Sequence, residues 1–232
     1  MREKDIFLVD ADDTVLDFYK ASSNALVNAF VESGLDWKEE YAPIYSAFND
    51  GLWGKLERKE ITRAELIKTR FPLFLELLNL SADEEAFNGY YLKHLATHPV
   101  YVEGAEAFLA ELKKRGRVFI VTNGTEFIQK SRFSIARLYE KADDVFISDT
   151  IGFDKPAKGY TDYVLSHITD FDKERAVWIG DSLSADIKAA NEAGIESIWF
   201  NPKSKKRNGK AEPDFETGSF AGILEILDEI SG

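Results

Sequence analysis

The chain has 232 residues, 44% of them hydrophobic and 30% charged, with a formal net charge of −12. This length suits one large domain or a domain carrying an insertion, and a globular fold of this size buries roughly 70% of its unfolded surface. The absence of cysteine excludes disulfides, thiolate catalysis and cysteine-held metals, while the acidic balance argues against a general affinity for nucleic-acid backbones.

The first predicted element is the run DIFLVD (5–10), short and apolar like a strand buried on both faces. It is too short for a signal peptide, and no stretch reaches transmembrane length, so a cytoplasmic protein without a membrane partner, monomeric or homodimeric, is expected. Asp10, Asp12 and Asp13 close this run almost side by side. Like charges at that range repel, so the crowding calls for a positive partner.

Residues 17–98 hold no strand pattern but several amphipathic stretches. ASSNALVNAFVESG (21–34) ends at Gly34, and TRAELIKTRFPLFLELLNL (62–80) opens on Thr62 and Glu65 as a capping box. Pro72 should kink or split that second helix. ADEEAFNGYYLKHLATH (82–98) stops before Pro99. About eighty residues are too many for one connection, so 17–98 reads as an inserted helical domain within a core of 1–16 and 99–232.

After the insertion, strand and helix alternate. AEAFLAELKKRG (105–116) is a helix, followed by the strands RVFIVT (117–122) and DVFIS (144–148) and the helix TDYVLSHI (161–168). The strand AVWIGD (176–181), the helix SADIKAANEAG (184–194) and the strand ESIWFN (196–201) complete the series. The pattern predicts an α/β fold, a doubly wound parallel sheet with right-handed crossovers. The basic run KSKKRNGK (203–210) reads as a solvated loop.

In such a sheet the strand ends share one edge, where ligands bind. Asp10 and Asp12, Thr122-Asn123-Gly124, Lys155, and Asp181 with Asp186 should therefore converge. Clustered carboxylates without histidine or cysteine suit a hard cation, and Mg²⁺ fits better than Zn²⁺. That cation is a natural partner for a phosphoryl group, whose oxygens the backbone N–H groups of the 122–124 turn can receive. Lys155 adds a positive charge. His94 and His98 stand four apart, but no third ligand accompanies them and they do not read as a zinc site.

The residues resemble the haloacid-dehalogenase-like (HAD) hydrolase superfamily across nearly the whole chain. DADDT matches a first motif DxDxT, and VFIVTNG a second that ends a strand in Thr or Ser. DKP before a helix and WIGDSLSAD match the third and fourth, in order. The resemblance implies a Rossmann-like core with a helical cap at 17–98. Asp10 would then be the nucleophile that attacks phosphorus, and Asp12 the group that protonates the leaving oxygen and later activates water. Mg²⁺ would sit on the Asp10 carboxylate, the Asp12 carbonyl and Asp181. Thr122, the Asn123 backbone and Lys155 would bind the transferring group, with Asp186 supporting the metal or Lys155. Asp12 disfavours a true dehalogenase, which lacks it. Lys20, Lys38 and Lys55 lie in no motif for the Schiff-base chemistry of the phosphonatase branch.

FNDGLWGKLERKEITRAELIKTRF (48–71) resembles the cap of the bacterial pyrimidine 5′-nucleotidase branch, through Asn49, Leu52, Trp53, Leu66, Arg70 and Phe71. That resemblance implies a nucleoside monophosphate as the small-molecule partner, with Trp53 or Phe18 stacking on the base and Asn49 or Arg70 at its edge. The alternatives are a phosphatase of sugar phosphates or other small esters, and a silent binder of phosphoryl ligands.

Overall fold

The computed structural model describes residues 3–207 and 211–231, so 208–210 of the basic run lie outside it. The chain divides into two compact units, one of residues 1–17 and 101–232 and one of residues 18–100.

The first unit is built on a sheet whose elements follow the alternation in the sequence. In chain order they are β1 (Ile6–Asp10), then, past the helices of the second unit, β2 (Arg117–Thr122), β3 (Asp144–Ile147), β4 (Ala176–Gly180), β5 (Glu196–Phe200) and β6 (Phe215–Thr217). They lie in the order β3-β2-β1-β4-β5-β6, every neighbour pair parallel. β1 to β5 are rich in Val, Ile, Phe and Trp because both faces are covered. On one face Phe7, Val9, Val118, Ile120 and Ile179 pack with Phe108, Leu112, Ile223 and Leu227. On the other, Ile6, Leu8, Val121 and Trp178 pack with Tyr160, Val164 and Ala189.

The chain moves outward from β1 through β2 to β3, then returns across β1 to start β4 on its other side. This reversal makes the carboxyl ends of β1 and β4 the topological switch point. The register fixes what meets there. Val9 is level with Ile120 and with Ile179. Thr122 and Asp181 each follow by two residues, so both project one residue beyond the level of Asp10.

In the second unit, α1 (Phe18–Glu32), α2 (Tyr41–Glu57), α3 (Arg63–Leu77) and α4 (Glu84–Thr97) pack around a cluster of aromatic rings. Phe30, Phe71, Phe74, Phe87, Tyr45 and Tyr91 are all essentially inaccessible, with ring centroids between 4.8 and 5.7 Å apart in the Phe71–Tyr91 and Tyr45–Phe71 pairs. The capping box forms: Glu65 donates its N–H to Thr62 Oγ1 at 3.2 Å and Thr62 donates its N–H to Glu65 Oε2 at 2.7 Å. α3 nonetheless runs unbroken through Pro72, against the expected split. Buried Phe71, Phe74 and Leu75 beside the proline anchor the helix there, and that packing outweighs one missing backbone bond.

The remaining helices belong to the first unit: α5 (Ala105–Arg115), α6 (Glu126–Ile135), α7 (Leu138–Lys141), α8 (Ser148–Ile151), α9 (Lys158–His167), α10 (Lys188–Ala193) and α11 (Phe220–Ser231). The expected helix from 184 starts instead as a π-helical turn over Leu183–Ile187 and becomes α-helical only at α10, which ends on left-handed Gly194. No helix among the described residues is long and apolar enough to cross a membrane.

Candidate active site

The turn after β1 is tight. Ala11 O accepts from the N–H groups of Val15 and Leu16 at 2.9 and 2.8 Å, and Asp13 takes a left-handed φ of 60°. An aspartate adopts that conformation more readily than most side chains. The turn brings Thr14 back so that its hydroxyl donates to Asp10 Oδ2 at 3.1 Å.

Lys155 occupies the centre. Its Nζ donates to Asp10 Oδ1 at 2.6 Å, to Asp186 Oδ1 at 2.7 Å and to the Val121 carbonyl at 2.8 Å. An ammonium has three protons, so its donor capacity is used in full. Asn123 fixes the lysine backbone from both sides: its amide donates to Lys155 O at 2.9 Å and its Oδ1 accepts from Lys155 N–H at 2.7 Å. The side chain of Asn123 thus clamps the lysine loop. Burial opposes the charge on Lys155, but Asp10 and Asp186 beside it hold its pKa above the ordinary lysine value. Burial likewise pushes Asp10 well above the ordinary carboxylate range, and Lys155 offsets only part of the rise.

Asp186 lies in the π-helical turn and is buried. Its Oδ2 accepts from Ser182 N–H at 3.1 Å, and its carboxylate rests directly on Gly180. A Cβ at Gly180 would stand 2.3 Å from Asp186 Cγ, so only glycine allows that approach. Asp181 follows immediately. Trp199 Nε1 donates to its carbonyl at 2.8 Å, and Lys205 Nζ to its Oδ2 at 2.9 Å. Burial raises the Asp181 pKa to about 7, against the opposing pull of Lys205. Lys205 comes from the basic run read as a solvated loop. The described part of that run, 203–207, is an exposed loop as read, but Asn201 holds the Lys205 backbone through bonds of 2.9 and 2.8 Å, and the lysine reaches Asp181.

Asp10, Asp181 and Asp186 each present a carboxylate oxygen, all within 4.8 Å of one another. When ionised, these three carboxylates face only two lysines, Lys155 and Lys205, so one negative charge is left without a partner among them. The donor set is oxygen only, so it fits a hard divalent cation such as Mg²⁺.

Thr122 is buried at the end of β2, and its hydroxyl accepts from Gln129 Nε2 at 2.9 Å. Gly124 donates its N–H to Ser148 Oγ at 3.3 Å. Asp12 is only partly buried and forms an ion pair with Arg132 NH1 at 2.7 Å. The structure therefore brings together Asp10, Asp12, Thr122, Asn123, Gly124, Lys155, Asp181 and Asp186. Gln129, Arg132 and Lys205 join them without having been read from the sequence. A Gln and an Arg three apart on an amphipathic helix look like surface residues until their burial is known.

Phe18, Asn49, Trp53 and Arg70 all belong to the helical unit. Phe18 and Trp53 are half-buried, the latter beneath the Arg63 guanidinium at 5.6 Å. Asn49 and Arg70 are buried. The Arg70 guanidinium lies over the rings of Phe71 and Tyr91, at 4.7 and 5.0 Å, and donates to Asn88 Oδ1 at 3.4 Å.

Comparison with known proteins adds an independent line. The model of the haloacid dehalogenase-like hydrolase family matches residues 4–194. The HAD-hydrolase YfnB of Bacillus subtilis is 32% identical over 228 residues, covering 98% of this chain and 97% of YfnB. The pyrimidine 5′-nucleotidase PynA of Streptococcus pneumoniae is 34% identical over 223 residues, covering 96% and 94%. A crystal structure of Bacillus subtilis YfnB bound to magnesium superposes with a TM-score of 0.91 at 32% identity, over 98% of this chain and 100% of that one. With the motifs at their expected strand ends and the family model spanning most of its length, the chain belongs to the haloacid dehalogenase-like hydrolases.

Proposed function

We propose that this hydrolase is a Mg²⁺-dependent phosphomonoesterase that acts on nucleoside 5′-monophosphates through a phosphoryl-aspartate on Asp10. The observation that carries the reading is the buried Lys155, bonded at once to Asp10 and Asp186 beside Asp181, at the switch point of the sheet. The nucleotide class is supported by the activity for which PynA is named and by the likeness of residues 48–71 to that branch.

In this reading an Asp10 carboxylate oxygen attacks phosphorus, and the bond to the ester oxygen breaks. Asp12 passes its proton to that leaving oxygen. It then takes a proton from the water that attacks the phosphoryl-aspartate, which releases inorganic phosphate and restores Asp10. Lys155 and the Thr122 hydroxyl orient the phosphoryl oxygens and stabilise their charge, the usual dominant contribution in such transfers. Mg²⁺ held by Asp10, Asp181 and the Asp12 carbonyl, with Asp186 behind them, would supply further neutralisation of phosphoryl charge. The helical insertion 17–98 is assigned the choice of ester, through Phe18, Trp53, Asn49 and Arg70.

The test is phosphate release from a panel of nucleoside monophosphates and sugar phosphates, in Mg²⁺ and in EDTA, with Asp10→Asn as control. Nucleotide-selective, Mg²⁺-dependent turnover that Asp10→Asn abolishes is expected. Turnover surviving in Asp10→Asn would sink the nucleophile assignment, and release from sugar phosphates alone would sink the nucleotide assignment.

A further inference from the structure

We propose that Gln129 and Arg132 are positioning residues that hold the Asp12 carboxylate and the Thr122 hydroxyl in one fixed relation. What Asp12 then does rests on the phosphatase reading above; where it is held does not.

Both residues lie on α6, three positions apart and hence on one face. Arg132 is 0% exposed and Gln129 is 1% exposed. A buried arginine is rare, because taking its charge out of water is expensive unless a partner receives it. The partner here is Asp12, whose Oδ1 lies 2.7 Å from Arg132 NH1. Gln129 is the hub: its Nε2 donates to Asp12 Oδ2 at 2.8 Å and to Thr122 Oγ1 at 2.9 Å, and its Oε1 accepts from Arg132 NH1 at 2.8 Å. A single amide therefore ties the turn after β1 to the end of β2. Asp12 Oδ2 is committed to that amide. Oδ1 is buried against the arginine charge, so both oxygens of the carboxylate are held by α6.

A second feature shows that the local sequence is built around this hub. A Cβ on Gly124 would lie 2.6 Å from Gln129 Cγ and 2.8 Å from its Nε2. Glycine at 124 thus opens the space that the glutamine side chain fills. Arg132 keeps its charge at every working pH, so the device is a fixed brace and not a titrating one.

A brace for a proton donor makes a prediction that a merely structural network does not. In the first step the proton travels from Asp12 to the ester oxygen as that oxygen takes the electron pair of the breaking P–O bond. A nucleoside alkoxide needs this proton, whereas p-nitrophenolate leaves without it. In the full-length protein, Arg132→Met, which leaves the Gln129–Thr122 bond in place, is compared with wild type on a pyrimidine nucleoside 5′-monophosphate and on p-nitrophenyl phosphate. General acid catalysis contributes about 10²–10⁴-fold, so kcat/KM on the nucleotide should fall by about 10²-fold and on p-nitrophenyl phosphate by less than about 5-fold. Arg132→Lys should recover part of the nucleotide rate. Adding Arg132→Met to Asp12→Asn should cost nothing further, as expected for groups acting as a unit. Equal losses on both esters would overturn the proposal.

If Arg132→Met fails to fold, Gln129→Met and Gly124→Ala perturb the hub without removing the charge. Their crystal structures supply a readout independent of turnover. An Asp12 carboxylate turned away while the Asp10–Lys155–Asp186 contacts persist supports the brace, and an unmoved Asp12 overturns it. Wild-type protein that hydrolyses neither ester would refute the phosphatase reading, while the crystallographic comparison would still decide the positioning.

Discussion

Lys155 has each ammonium proton committed and almost no exposed surface, which determines what its replacement does. Lys155→Met keeps the volume but leaves Asp10 and Asp186 buried without their shared cation. Breaking a buried pair in this way destabilises by about 3–5 kcal/mol, and urea unfolding should show a loss of that size together with loss of turnover. An unchanged midpoint would mean that the two carboxylates find another partner. Gly180→Ala acts by crowding. The new methyl cannot share space with Asp186 Cγ, so overpacking of about 1–3 kcal/mol is expected, with reduced kcat because Asp186 no longer braces Lys155. At this scale the sequence was most legible where chemistry needs a rare arrangement. Asp10, Asp12 and Asp181 could be singled out because acidic residues at the ends of apolar strands have few bland explanations, and Lys155 because the run DKP resembles the third motif of the family. Gln129, Arg132 and Lys205 were illegible, since burial gives the first two their meaning and a partner distant in sequence gives the third its own, and neither is encoded locally.

The same contrast holds for elements. β1 to β5 were readable because strands buried on both faces are short, continuous apolar runs. β6 is three residues at the sheet edge, partly exposed, and carries no such signal. α2 contains Pro43, Gly51 and Gly54 and has no side-chain N-cap, so its propensity is weak. It tolerates Pro43 because the first turn needs no N–H there, and it is held by buried Tyr41, Tyr45, Asn49 and Leu52. Pro72 does not split α3, for the complementary reason: tertiary packing around Phe71 and Phe74 outweighs a local breaker. The capping box of α3, by contrast, is a local device and behaves as one. Thr62→Ala removes the acceptor for the Glu65 N–H and should cost about 1 kcal/mol. Because Thr62 belongs to the helical unit, thermal unfolding should shift while the rate on p-nitrophenyl phosphate stays the same; a large change in that rate would show that α3 does more than support its own unit.

Across the whole molecule, a net charge of −12 bears on how a cation effect must be measured. Self-repulsion of an acidic chain is relieved by any salt, with a Debye length of about 8 Å at physiological ionic strength. A rise in thermal stability on adding MgCl₂ is therefore not by itself a sign of a site. At constant ionic strength the screening contribution cancels, and only binding to the folded state remains. Mg²⁺ at a hundred times its dissociation constant would stabilise by about 2.7 kcal/mol, or roughly 5–10 °C for a chain of this length. EDTA should reverse the shift. Asp181→Asn should abolish it, since one of the three clustered carboxylates is then gone. The same substitution should leave intact the general stabilisation by monovalent salt, because it changes the net charge by only one. If Asp181→Asn retained the full Mg²⁺ increment, the cation would be binding the acidic surface at large, and the carboxylates at the switch point would need another explanation for their crowding.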